Sequence, residues 1–165
     1  MSKSGTLRVE TPSDLEVRVT RQFKAPAQLV WDTHTKPELV RKWQYGFEGW
    51  SLPICDMDVR VGGAYRWRWR NDDNGQEMGF FGTYIEVTPP TRLVYEQHYD
   101  AGSLGVPMTS EPTIITTDFT ESRGFTTITV TMRFASKEER DAAVATGMTD
   151  GMELSYERID ALLAA

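Results

Sequence analysis

The last thirty residues constrain the fold most. Ser136 and Glu139 form an S-x-x-E capping box ahead of a periodic run. Val144, Met148, Met152, Ser155, Ile159 and Leu162 recur at intervals of three and four, so they share one stripe. Thr149, Asp150, Glu153, Glu157 and Asp160 fall on the opposite side. The spacing predicts one helix of about 28 residues, a rod of roughly 40 Å. Gly147 and Gly151 lie one turn apart inside it, each about 1 kcal/mol less favourable there than alanine. The expectation is that they make room for a guest molecule or for a neighbouring backbone. A rod with a single apolar stripe must be buried against something, and the rest of the chain has to supply that surface.

Most of what precedes the rod has the period of a strand. Leu15, Val17 and Val19 alternate with Glu16, Arg18 and Thr20, and Phe23 ends the run. Ala25-Pro26 opens a short helix through Leu29, Val30 and Trp31, and Pro37 opens a second through Val40 and Trp43. Strand-like segments follow at 50–55, 65–70, 76–87, 92–100, 113–120 and 126–134. They are separated by Val61-Gly62-Gly63, Asn74-Gly75, Pro89-Pro90, a Gly- and Pro-containing loop over 101–112, and Ser122-Arg123-Gly124. The loop over 101–112 reads equally as a lid or as a plain connection. The order is therefore one strand, two short helices, about six antiparallel strands and a long helix. This is an α+β chain whose curved sheet wraps the helix. Residues 1–13 are polar and expected to be flexible, with a single domain over 14–165.

Composition narrows the partners. The chain has 18 basic and 24 acidic residues, a net charge of -6, and no strong basic run. That balance argues against nucleic acid and anionic membranes. No apolar run is long enough to span a bilayer, so no membrane insertion is expected. The N-terminus lacks the apolar core of a signal peptide. Cys55 is alone, which excludes a disulfide framework and a cysteine metal site and suits the cytoplasm.

The chemistry-bearing residues are few. His34 and His98 fit no ligand spacing, so no metal or cofactor is expected. His98, Glu96 and Asp118 are the only weak candidates for acid–base work. Tyr65, Trp67 and Trp69 alternate with Arg66, Arg68 and Arg70. The aromatic set is expected inward. The alternative turns the arginines, Glu96 and His98 inward as an anchor for an anionic ligand. The wider set of Trp31, Trp43, Trp50, Tyr84, Tyr95 and Tyr99 is core, or pocket wall, or both.

Several stretches together resemble a known family. They are Ala25-Pro26 with Val30-Trp31, then Trp43, then Cys55-x-x-Asp58-Val59-Arg60-Val61-Gly62-Gly63. Next come Gly82-x-x-x-Glu86-Val87-x-Pro89-Pro90-x-Arg92-Leu93-Val94, Ser136-Lys137-Glu138-x-Arg140-Asp141, Gly147-Met148 and Gly151-Met152. Over residues 14–163 the chain resembles the START-like (SRPBCC, Bet v 1-type) helix-grip superfamily, in the branch named after the activator of heat-shock-protein-90 ATPase. It departs at Gly151-Met152, where members often carry Gly-Trp. The resemblance implies a helix-grip fold of about seven strands with a cavity between sheet and C-terminal helix. The implied function is binding of a hydrophobic or aromatic small molecule, lipid or polyketide-like. The alternatives are an enzyme of the polyketide cyclase/hydrolase type and a chaperone-interaction module. The residues expected at the ligand are Trp31, Trp43, Tyr65, Trp67, Trp69, Tyr95, Met132, Met148, Met152 and Ser155. A homodimer is compatible with this arrangement, and a chaperone partner belongs to the third alternative only.

Overall fold

Alternating β-branched and aromatic residues build one sheet, and its apolar face sets the position of everything else. The computed structural model describes residues 7–45, 47–100 and 111–164. The strands are β1 (Arg8–Ser13), β2 (Glu16–Phe23), β3 (Trp50–Met57), β4 (Ala64–Asn71), β5 (Glu77–Thr88), β6 (Arg92–Asp100), β7 (Thr113–Ser122) and β8 (Phe125–Arg133). Two short helices, α1 (Ala27–Thr35) and α2 (Pro37–Val40), follow β2; α3 (Lys137–Ala145) and α4 (Met148–Ala164) close the chain. All strand neighbours are antiparallel, in the order β1-β2-β8-β7-β6-β5-β4-β3. This is the α+β helix-grip architecture, with eight strands among the described residues where about seven were expected. The additional strand is β1. Its six side chains are all exposed, so its polar composition fits an edge strand, although the same composition suggested a flexible segment.

The alternation fixes the faces. In β2, Val17, Val19, Arg21 and Phe23 point inward; in β8, Thr126, Ile128, Val130 and Met132 do so. Tyr65 and Trp67 are buried and the three arginines of β4 point outward, as the aromatic-in register requires. The β4–β5 connection is longer than a two-residue Asn-Gly turn. Asn71 N–H donates to the Gln76 carbonyl, Gly75 has φ +75°, and Arg70 pairs with Glu77. The register shifts by an even number of residues, so no face changes. At Gly82 the sheet has no room for a side chain: a Cβ there would lie 1.9 Å from the Glu96 carbonyl oxygen. Tyr65 lies across this gap and its hydroxyl donates to that oxygen at 2.8 Å.

The C-terminal rod is broken. Ser136 caps α3 by accepting from Glu139 N–H at 3.2 Å, as its capping box implies. The helix then stops at Thr146, and Gly147 adopts φ +80° with open space around its missing Cβ. Gly147 is therefore a left-handed break joining two helices, not an interior helix position making room for a guest. Gly151 is buried within α4.

The polar side of α4 is also not solvent-facing as its spacing suggested. Glu153 and Asp160 reach back to Arg21, whose side chain has no exposed surface. Asp160 is held by two guanidinium bonds, at 2.9 and 2.8 Å. Glu153 Oε1 accepts from Arg21 Nε and Nη2 at 3.2 and 3.0 Å, and its other oxygen accepts from Leu7 N–H. The guanidinium also lies 5.0 Å from the Phe23 ring centroid. Burial would lower the pKa of Arg21, but its bonds to Asp160 and Glu153 outweigh this and raise it. Between them Tyr156 and Ile159 pack into the core, and full burial of a side chain like Ile159 contributes about 1.5–3 kcal/mol.

Replacing Arg21 with Met leaves two carboxylates facing an apolar stem. The expected loss is roughly 3 kcal/mol of unfolding free energy in urea titration, and a loss under about 1 kcal/mol contradicts this role for the ion pair.

Candidate functional site: the aromatic interior under the C-terminal helix

Strand alternation and helix stripes bring two aromatic clusters to the same interior. One belongs to the sheet. Tyr65 of β4 lies 4.5 Å from Trp67, 5.4 Å from Tyr84 and 5.2 Å from Tyr95, measured between ring centroids. Trp69, Phe80 and Tyr99 extend it along the sheet. The other cluster is built by the helices. His34 of α1 lies 5.1 Å from Trp43, 5.3 Å from Phe119 and 6.5 Å from Tyr156 of α4. Two indole bonds stiffen the frame: Trp43 Nε1–H to the Thr33 carbonyl at 2.7 Å and Trp69 Nε1–H to the Gln44 carbonyl at 2.6 Å. Tyr156 also packs edge-on against Phe23, 5.7 Å between centroids. Burial first, then the neighbouring Tyr95, pushes the Tyr156 phenol upward. Burial likewise raises Tyr65, Tyr84 and Tyr95, so all four phenols stay neutral.

The ten residues expected at a ligand all lie on this interior side. Trp31, Trp43, Tyr65, Trp67, Met132 and Ser155 are buried; Trp69, Tyr95, Met148 and Met152 are partly buried against the core. The three acid–base candidates lie elsewhere, on the outer face of the sheet. His98 stacks on Phe81 at 5.2 Å, Glu96 accepts from the Thr83 hydroxyl at 2.8 Å, and Asp118 pairs with Arg92 at 3.0 Å. Arg66, Phe81, Thr83, Glu96 and His98 line an open outer groove of about 600 Å³. The structure thus separates the aromatic set from the charged set, and the interior receives only the former. Residues 101–110 of the loop that reads as a lid or as a plain connection lie outside the described residues. Among the described residues no three His, Cys, Asp or Glu side chains converge as a metal group, and no helix is long and apolar enough to cross a membrane.

His34 and Tyr156 are interior residues that spacing alone did not single out. His34 follows Val30 by four positions, so both share the buried face of α1. Its Nδ1 donates to the Val30 carbonyl at 2.8 Å, which leaves Nε2 as a bare acceptor. Part of the residue keeps accessible surface, yet Nε2 has none and no hydrogen-bond partner. Trp67 Nε1 and the Tyr84 hydroxyl are likewise buried and unpartnered. Cys55 is a buried thiol, pushed up to about 11 mainly by burial, and so is not a nucleophile at neutral pH.

Burial pulls His34 down to about 4 from its ordinary 6.5, partly offset by its bond to Val30. Between those values the unfolded chain binds the proton and the folded one does not. Stability therefore rises with pH across this window and falls as pH drops through it, by on the order of 3 kcal/mol in full. In urea midpoints measured from pH 7 to pH 4, His34→Phe should show a shallower fall than the parent protein. Parallel falls would place the titration elsewhere.

Comparison with known proteins agrees with this architecture. The family model described as Activator of Hsp90 ATPase homolog 1-like protein matches residues 24–164. A crystal structure of a Rhodobacter sphaeroides protein is 26% identical, covers 96% of this chain and 97% of its own, and superposes with a TM-score of 0.83. A crystal structure from Mycobacterium smegmatis is 24% identical, with 96% of each chain covered and a TM-score of 0.82. The solution structure of an AHSA1-like protein from Aeromonas hydrophila is 18% identical, covers 88% of this chain and 93% of its own, and has a TM-score of 0.68. The last two show the fold alone. No curated protein matches the chain. With the matching stretch running from the end of β2 to the end of α4, the chain belongs to the Activator of Hsp90 ATPase homolog 1-like family.

Proposed function

We propose that this protein binds a hydrophobic or aromatic small molecule between the sheet and α4, without transforming it. The observation that carries the proposal is the pairing state of the interior. Buried polar groups in folded proteins are almost always hydrogen-bonded. Here three buried atoms on aromatic walls, His34 Nε2, Trp67 Nε1 and Tyr84 OH, are not. Ligand sites combine such walls with a few convergent polar groups. Met148 and Met152 on α4 add adaptable side chains that can yield to a guest. No metal group among the described residues accompanies them, and burial keeps the Cys55 thiol protonated. His98, Glu96 and Asp118, on the far side of the sheet, cannot reach a guest held here.

A neutral probe such as N-phenyl-1-naphthylamine should quench tryptophan fluorescence on entering this interior, and Trp67→Phe with Trp69→Phe should remove most of the response. Gly151→Leu adds bulk to the buried face of α4. It should weaken probe binding at least tenfold while shifting the thermal midpoint by only a few degrees. Unaltered quenching in both variants would move the binding site away from α4.

A further inference from the structure

Strand alternation carries the charged residues of β4 to the outer face of the sheet, and a contrast between two of their rows specifies a second site. Arg68 of β4 and Asp100 of β6 close an ion pair at 2.8 Å across β5. They can meet because the β5 residue paired with both is Gly79, which has no side chain. One step along the same strands Phe81 takes that place, paired with Arg66 on one side and His98 on the other. Its ring stacks on His98, 5.2 Å between centroids and 17° between planes, and Phe81 stays 38% exposed. Glu96, two residues before His98, shares this face. Its Oε1 accepts from the Thr83 hydroxyl at 2.8 Å, and its Oε2 has no partner among the described residues. Arg66 likewise has no ion-pair or hydrogen-bond partner among them. Arg66, Phe81, Glu96 and His98 line the same open groove of about 600 Å³. The groove therefore holds an unmatched cation on β4 and a half-matched carboxylate on β6, with an exposed ring on the strand between them.

We infer that this outer groove binds a small zwitterion bearing an aromatic ring, of the kind an aromatic α-amino acid presents. The carboxylate goes to Arg66, whose planar guanidinium offers a two-pronged contact. The ammonium goes to Glu96 Oε2, and the ring lies against the exposed part of Phe81. Charge decides the class. A plain anion meets the carboxylates of Glu96 and Asp100, and a plain cation meets Arg66; each also leaves one group of the groove unmatched. The other charges of this face are already spent, Arg68 on Asp100 and Arg92 on Asp118. The neutral guest proposed for the interior carries neither charge, so the two sites take different molecules and the outer one does not depend on the inner. Both ionic contacts are open to water, so each contributes about fivefold in affinity.

Backbone amide signals of Phe81 and His98, followed by NMR during titration, test the site. L-phenylalanine should move both and leave the Trp67 indole N–H in place, whereas a neutral aromatic probe leaves both where they are. Phenethylamine, which lacks the carboxylate, and 3-phenylpropionate, which lacks the ammonium, should each bind about fivefold more weakly than L-phenylalanine. L-alanine, which lacks the ring, should also bind more weakly. Arg66→Gln should bring L-phenylalanine down to the affinity of phenethylamine without weakening phenethylamine itself. Glu96→Gln, which can still accept from Thr83, should bring it down to that of 3-phenylpropionate without weakening 3-phenylpropionate. L-phenylalanine binding that is unchanged in both variants overturns the residue assignment. Single-charge analogues that bind the parent protein as tightly as L-phenylalanine overturn the ligand class. No movement of either signal up to the solubility limit of L-phenylalanine overturns the site itself and leaves binding in the interior untouched.

Discussion

A buried guanidinium decides where the last helix of this protein lies. Arg21 sits among Val17, Val19 and Phe23 on the inner face of β2, with no surface of its own exposed. A charge in that position is tolerable only when its donors are matched by acceptors. The acceptors come from α4: Asp160 in a two-pronged contact and Glu153 two turns earlier. Two anchor points on one helix fix both its rotation and its position along the sheet. They also fix which residues face inward, since Tyr156 and Ile159 lie between them. Arg140 does similar work for α3, donating to the Ser13 carbonyl at 2.7 Å. The ion pairs of α4 and the backbone contact of Arg140 are thus gathered on the β1–β2 side.

The interior is rich in aromatic side chains. The inward residues of β4, β5 and β6 include Tyr65, Trp67, Tyr84 and Tyr95. These rings pack on one another beside branched aliphatics such as Leu93 and Ile115. Rings bring polar atoms with them. Some are satisfied by the backbone, as with Trp43, Trp69 and Tyr65. Those of His34, Trp67 and Tyr84 are not. A core selected for stability alone would use residues without unpaired donors and acceptors, so their presence supports a role in recognition.

The sequence carried much of this and missed particular parts for physical reasons. Strand alternation put Trp67 and Arg66 on opposite faces and left two choices; the expected one, aromatic residues inward, is the one the structure has. The capping box located the start of α3. The break at Gly147 was hidden, because a glycine inside an apolar period looks the same whether it is helical or left-handed. The Arg21 contacts had no local signal: their partners are 132 and 139 residues away, and acidic residues on a helix stripe face solvent by default. β1 was unreadable because an edge strand needs no apolar residue. His34 was weighed only as a metal ligand, because which of its ring nitrogens is occupied shows only in the Val30 contact. His98 and Asp118 drew attention as titratable groups, but titratability says nothing about which face of a sheet a residue occupies.

The central claim is that the interior beneath α4, and not the outer face of the sheet, receives the ligand. Indole resonances in a ¹⁵N-correlated NMR spectrum report on it directly, because the tryptophans are distributed over distinct environments. On titration with an aromatic probe the Trp67 indole N–H signal should move, and backbone signals of Phe81 and His98 on the outer face should stay in place. Movement of Phe81 and His98 with an unchanged Trp67 would place the ligand on the outer groove and contradict the account.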